Sequence, residues 1–260
     1  MRVAILCGGL GTRLREETEY RPKPMVEIGG RPVLWHIMRH YARHGLTDFV
    51  LCLGYKGDVI RDWIVDYRAR NGDARVDVGA QRIEYLDPLP EEERWVVTLA
   101  ETGPETPTGG RIIRAAKYLT DGTFMVTYGD GLSNVDLRRL LTFHRDRRKL
   151  VTVTGVRPFT RFGELRVRDG VATGFREKPQ LEEGWVNGGF FVMETEALRY
   201  LTPDSTLEAE PLERLAADGQ LAVFEHEGYW AAMDTYREAQ KLNDEWASGH
   251  PGWLGAPPAK

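Results

Sequence analysis

Cysteine is scarce in this chain. Only Cys7 and Cys52 occur in 260 residues, and both stand inside apolar runs. They read as small buried hydrophobes in a reducing compartment, not as a disulfide framework. With no histidine cluster beside them, they also exclude a zinc site of the usual four-ligand kind. A basic excess is missing too: the formal net charge is −4. That argues against a nucleic-acid surface, which needs clustered positive charge, yet it leaves room for a local pocket of cations. No apolar run approaches the roughly 20 residues of a membrane span. The N-terminus enters a strand pattern at once, without the apolar leader and cleavage site of a secretory signal. The expectation is a cytoplasmic protein with no nucleic-acid or membrane partner. Two familiar glycine signatures are absent as well. A mononucleotide P-loop ends Gly-Lys-Ser/Thr, whereas the loop here ends Gly11-Thr12-Arg13. A dinucleotide fingerprint needs a third glycine where Leu14 stands and a helix directly after it, which Pro22 and Pro24 would disrupt.

What the chain does contain is an ordinary globular composition, 42% hydrophobic and 28% charged, long enough for one large α/β domain or two small ones. Its first 25 residues are the most informative. Val3 to Leu6 is a short apolar run bounded by glycines, the mark of a buried strand. Gly8, Gly9 and Gly11 follow, with Leu10 and Thr12 between and after them. Glycines directly after a strand let the backbone approach a ligand and turn its N–H groups toward anionic oxygens. Alone they could equally make a tight turn. Arg13 and Lys23 place two cations just beyond them, which tips the reading toward a polyphosphate site.

Strands and helices alternate through the first half. The pattern predicts strands at Val3–Cys7, Phe49–Leu53, Phe124–Thr127 and Leu150–Val156. It predicts helices over Val33–His44, from an Asp58 cap to about Arg70, over Gly110–Tyr118 and over Val135–Arg147. Such alternation gives an α/β fold with a mainly parallel, Rossmann-like sheet and helices on both faces. Residues 72–97 are charged and carry the short alternating runs Arg75–Val78, Arg82–Tyr85 and Trp95–Leu99, read as a protruding β-arm. Glu164–Arg168, Val171–Arg176 and Val186–Met193 read as a small antiparallel subsheet. Three prolines and three glycines in residues 249–260 suggest a loose tail, or one draped over a neighbour. The organisation expected is one domain over 1–248: a nucleotide half to about 135, a second half over about 150–235, and the arm.

The segment Gly8-Gly9-Leu10-Gly11-Thr12-Arg13-Leu14, followed by Pro22-Lys23-Pro24-Met25, resembles the signature of sugar-1-phosphate nucleotidylyltransferases. Further segments match, in order, the branch that couples CTP to glucose 1-phosphate. They are Lys23 to Gly30, Leu34-Trp35-His36-Ile37-Met38, Gly54-Tyr55-Lys56-Gly57, Thr108-Gly109-Gly110-Arg111, Thr127-Tyr128-Gly129-Asp130-Gly131, Glu177-Lys178-Pro179, Asn187-Gly188-Gly189-Phe190-Phe191 and Met233-Asp234-Thr235. The resemblance implies transfer of a nucleotidyl group from a nucleoside triphosphate to a sugar 1-phosphate, with release of pyrophosphate. It also implies Mg²⁺ as cofactor and a homo-oligomer, a trimer or hexamer.

Open α/β sheets bind ligands at the carboxyl ends of their strands. Asp130, at such an end and flanked by glycines, suits Mg²⁺, which takes one or two carboxylates plus phosphate oxygens; a plain Asp-Gly turn is the alternative. The resemblance pairs it with Asp234, which could also cap the final helix. It gives the catalytic roles to Arg13, Lys23 and Asp130. It puts the nucleotide against Leu6, Gly8, Gly9, Leu10, Gly11, Thr12, Arg13, Lys23, Thr106, Gly109, Arg111 and Gly129, with Arg111 reaching the phosphates. It puts the sugar phosphate against Glu177, Lys178, Asn187 and Gly188. The loop Thr102-Gly103-Pro104-Glu105-Thr106-Pro107 departs from the branch pattern, which carries serine and methionine there. His36, His40 and His44 recur every four residues and read as a solvated or interface stripe; Trp35 and Trp230 read as core. Rival readings are a uridylyl- or thymidylyltransferase, and a non-catalytic sugar-nucleotide sensor, which would be free to lose Arg13, Lys23, Asp130 or Asp234. A dehydrogenase is opposed by Leu14.

Overall fold

A computed structural model describes residues 1–9, 11–157, 164–168, 171–176 and 184–255, leaving out the side chains of residues 13, 15, 16, 164–168 and 172–176. Eight strands form the central sheet: β1 (Arg2–Leu6), β2 (Asp48–Leu53), β3 (Val96–Glu101), β4 (Thr123–Tyr128), β5 (Val151–Val156), β6 (Val186–Asn187), β7 (Phe191–Glu194) and β8 (Leu221–His226). Parallel pairing joins β4, β1, β2 and β3 in that spatial order. On the other flank, β6 and β7 run antiparallel to β5, β7 also runs antiparallel to β4, and β8 lies parallel on the outer side of β5.

Both faces of this sheet are apolar, and alternate residues serve two separate cores. Val3, Ile5, Phe49, Leu51, Met125 and Val192 point into one core; Ala4, Leu6, Val50, Cys52, Val126, Phe191 and Met193 point into the other. A strand buried on both faces reads as a continuous apolar run, which is why these strands are visible in the sequence. The first core is covered by Val33–Arg43, Gly57–Val65, Leu137–Arg147 and Tyr236–Ala247; the second by Thr108–Ala115 and Glu210–Ala217. Cys7 and Cys52 are both fully buried and unpaired. Among the described residues, no helix is long and apolar enough to cross a membrane.

Several local expectations change. Glu164–Arg168 and Val171–Arg176 do pair as an antiparallel ribbon, but Val186–Met193 does not join them. It enters the central sheet, because Phe191, Val192 and Met193 are apolar toward both faces and fully buried. Likewise Val96–Glu101 leaves the arm for the sheet edge, so the hairpin is Ala74–Asp77 with Arg82–Tyr85 alone. Lys56, not Asp58, precedes the Gly57–Val65 helix, and Asp66 interrupts it before Tyr67–Arg70. Of the histidine stripe, His36 is buried and His40 and His44 are half-buried, so the stripe is not a solvated one. His36 hydrogen-bonds the Ile28 carbonyl at 2.9 Å and accepts from Trp253 at Nδ1, 3.3 Å. Trp253 itself is only 1% exposed and stacks on Trp246, so residues 251–254 are packed on the body rather than loose.

Candidate active site

The carboxyl ends of β1 and β4 open onto a cavity of about 590 Å³. Two carboxylates line it, one from the middle of the chain and one from near its end. Asp130 follows β4. Just beyond it Gly131–Ser133 pairs antiparallel with Trp230–Ala232, and the Met233 N–H donates to the Asp130 carbonyl at 3.0 Å. This short ladder sets Asp234 beside Asp130. Capping of the last helix falls to Thr235, which forms a capping box with Glu238, so Asp234 does not serve as the cap. Its carboxylate turns instead to Lys23.

Lys23 sits in a 3₁₀ turn, Lys23–Met25, entered through Pro22. Pro24 packs on Gly129 so closely that a Cβ there would lie 2.7 Å from the proline ring. The turn thereby holds the Lys23 ammonium 2.5 Å from Asp130 Oδ2 and 2.6 Å from Asp234 Oδ1. Burial by itself would lower the ammonium's pKa, but the charge and hydrogen bonds of the two aspartates outweigh it and hold the group above its usual value. Two carboxylates gripping one cation are a donor set that Mg²⁺ accepts. Among the described residues, no group of three His, Cys, Asp or Glu side chains could hold a metal. Asp130 and Asp234 could hold such an ion between them.

The glycine loop supplies another wall. Leu6, Gly8, Gly9 and Gly129 line the cavity, while Gly11, at φ +62°, turns the chain into the 3₁₀ segment Thr12–Leu14. Leu10, Glu177 and Lys178 lie outside the described residues, as does the side chain of Arg13. Thr106 and Gly188 line the cavity; Gly11, Thr12, Gly109 and Asn187 are not among its lining residues.

Arg111 is the clearest departure from expectation. It lines the cavity, yet only 3% of it is exposed and its guanidinium is turned to carbonyls. Nη1 donates to Leu53 O, Thr102 Oγ1 and Gly103 O at 3.2, 2.9 and 2.7 Å; Nη2 donates to Gly8 O and Pro104 O at 2.9 and 3.1 Å. A Cβ at Gly8 would overlap this guanidinium. Gly8 thus makes room for Arg111, and Arg111 ties the glycine loop to the Thr102–Pro107 loop through its Nη1 and Nη2 donors.

Sequence reasoning quoted Thr108 and Tyr128 only within matching segments, did not single out Thr206 or Glu208, and took Trp230 as core; all five line the cavity. Trp230 lines the cavity and donates its indole N–H to Gly188 O at 2.8 Å. Trp35 is core as expected, 4% exposed. The Glu208 and Tyr128 side chains meet at 2.6 Å although they are 80 residues apart, and no local spacing reports such a contact.

The family model for nucleotidyl transferases matches residues 2–237. The glucose-1-phosphate cytidylyltransferase of Salmonella typhimurium LT2 is 44% identical over 255 residues, covering 97% of this chain and 98% of that one. The D-glycero-alpha-D-manno-heptose 1-phosphate guanylyltransferase of Aneurinibacillus thermoaerophilus is 27% identical, covering 93% and 97%. Among solved structures, HddC from Yersinia pseudotuberculosis superposes with a TM-score of 0.67 at 24% identity, covering 94% and 99%, which speaks for the fold. With the glycine loop, the Lys23 turn and the two aspartates gathered at one sheet edge, and with a match over almost the whole length, the chain belongs to the nucleotidyl transferase family.

Proposed function

We propose that this chain transfers the cytidylyl group of CTP to α-D-glucose 1-phosphate, giving CDP-glucose and pyrophosphate. The observation that carries the reading is the Asp130–Lys23–Asp234 cluster at the mouth of the glycine loop. The near full-length similarity to a glucose-1-phosphate cytidylyltransferase supports the choice of substrates. In the reaction a phosphate oxygen of glucose 1-phosphate forms a bond to the α-phosphorus of CTP. The bond to the bridging oxygen breaks, and its electron pair leaves with pyrophosphate. The nucleophile is already an anion, so no general base is needed; alignment and charge neutralisation do the work.

Asp130 and Asp234 would hold Mg²⁺, which, when bound, neutralises phosphate charge. Lys23 spans both carboxylates in the ligand-free chain and is placed to swing its charge onto the phosphates when they arrive. Arg13 stabilises the departing pyrophosphate in this reading, and Lys178 meets the sugar phosphate. Arg111 acts one step back, holding the two loops that shape the nucleotide wall. Thr106 and its neighbours read the base. Cytosine and uracil differ at the 4-position, donor in one and acceptor in the other. A buried acceptor facing that position leaves UTP with an unpaired contact, worth about 1–3 kcal/mol or on the order of tenfold to a hundredfold.

A panel of triphosphates and sugar 1-phosphates, read by pyrophosphate release, tests the assignment. CTP with glucose 1-phosphate should be used best, and UTP tenfold less or worse. Equal use of CTP and UTP, or preference for dTTP, would move the chain to another branch of the family. Assembly as a homo-oligomer belongs to the same proposal. The hairpin Ala74–Asp77/Arg82–Tyr85 places Ala74, Val76, Ile83 and Tyr85 on one face, with Val76 and Ile83 more than half exposed. An apolar two-stranded face is marginal alone in water, which supports burial against other copies; light scattering on the purified protein would decide.

A further inference from the structure

One wall of the cavity carries a run of hydrogen bonds that the reaction as described leaves without a task. The Glu208 carboxylate accepts from the Tyr128 hydroxyl at Oε1 and from the Thr108 hydroxyl at Oε2, both at 2.6 Å. The Tyr128 oxygen accepts in turn from Asn187 Nδ2 at 3.0 Å, and Asn187 Oδ1 accepts the Gly189 N–H at 2.9 Å. On the other branch, the Thr108 oxygen accepts the Leu207 N–H at 2.9 Å.

Chemistry fixes the direction of each bond. An ionised carboxylate only accepts. Tyr128 must therefore give its single proton to Glu208, and its oxygen is left to accept from Asn187. The Asn187 amide then has one orientation, nitrogen toward Tyr128 and oxygen toward Gly189. An amide nitrogen carries two hydrogens, so a second N–H lies beyond the Tyr128 bond, on the residue next to Gly188, which lines the cavity. The same carboxylate grips Thr108, the first residue of the helix on the nucleotide side.

We propose that Glu208 is a positioning residue. Through Tyr128 it sets Asn187 as a donor to the oxygens of the sugar phosphate, and through Thr108 it ties that setting to the nucleotide-side helix. The proposal rests on the assignment of glucose 1-phosphate beside Gly188, the cavity-lining neighbour of Asn187. In Glu208→Gln the shape is kept, but the amide can donate to Tyr128. The hydroxyl is then free to donate toward Asn187, whose amide can turn over and present its oxygen to the substrate.

Steady-state kinetics on the full chain, with each substrate varied in turn, test this in wild type, Glu208→Gln, Tyr128→Phe and the double variant. Glu208→Gln should raise KM for glucose 1-phosphate about tenfold, the scale of one misdirected hydrogen bond. KM for CTP should stay within about twofold. Tyr128→Phe should do the same, and the double variant should be no worse than the poorer single one, because both break the same connection. Tyr128→Phe keeps the Glu208–Thr108 bond and the ring's edge contact with Phe191, so it carries the test if Glu208→Gln folds poorly. An unchanged KM for glucose 1-phosphate, equal rises in both KM values, or additive losses overturn the proposal. A wild type that turns over CTP and glucose 1-phosphate while the variants show no split sinks the positioning role alone. A wild type that does not use this pair of substrates sinks the assignment beneath it, and the proposal with it.

Discussion

Lys23→Met removes the ammonium between Asp130 and Asp234 while keeping most of the side-chain volume. The two carboxylate oxygens reach the same nitrogen at 2.5 and 2.6 Å, so they lie no more than about 5 Å apart. Two like charges at that distance repel by ~3 kcal/mol at an effective dielectric of about 20. The carboxylates are 28% and 20% exposed, and water and protonation reduce the net cost to about 1–3 kcal/mol. For a chain of this size that is a fall in Tm of roughly 3–9 °C. Thermal melts at pH 7.5 in a chelator should show the deficit. Millimolar Mg²⁺ should restore the variant more than it helps wild type, where Lys23 already supplies a positive charge. Turnover should fall more than CTP affinity if Lys23 acts on charge that develops during transfer. A variant that melts within a degree of wild type in chelator, or gains no more from Mg²⁺ than wild type does, would refute the coupled-carboxylate argument.

Two other perturbations follow from buried groups. Arg111→Met should cost about 3 kcal/mol or more, because it leaves buried oxygens unsatisfied. The loss should appear in melts without substrate, whereas a normal Tm with weakened CTP binding would return Arg111 to direct phosphate contact. His36 and His40 are held neutral: burial lowers His36 to about 4 and His40 to about 3, with nearby cations and, for His40, the neighbouring His44 adding to it. A base with a depressed folded pKa contributes its full stability above its unfolded value near 6.5 and loses it as pH falls toward the folded one. Each should therefore cost about 2 kcal/mol between pH 7 and pH 5. A Tm flat across that window would show that neither histidine is kept neutral.

The sheet was legible because its strands are buried on both faces and bounded by glycine, as at Val3–Leu6 and Phe124–Thr127. Val186–Met193 was legible as a strand but not in its partner. Alternating burial specifies that a segment is extended, and its neighbour is chosen by packing on both cores, which lies outside the segment. Period alone placed His36, His40 and His44 on one face. It could not tell a solvated face from a covered one, where Trp246 and Trp253 pack on His36 and Phe190 on His40. The tail's prolines and glycines spoke for a loose or draped end, yet Trp253 packs residues 251–254 against the body.

The candidate site divides along the same line. Lys23, Asp130 and Asp234 could be named in advance because the family resemblance singled them out; residue type alone left Asp130 as an Asp-Gly turn and Asp234 as a helix cap. Arg111 carries the same charge and stands in an equally distinctive motif, but its partners are the carbonyls of Leu53, Gly103, Gly8 and Pro104 and one threonine hydroxyl. Every residue has a carbonyl, so a backbone acceptor leaves no mark in the sequence. A cation whose donors go to main chain therefore looks, in sequence, the same as one waiting for phosphate. Glu208 is hidden for a related reason: its importance lies in the direction of bonds made by Tyr128 and Asn187, and direction exists only once the three are brought together.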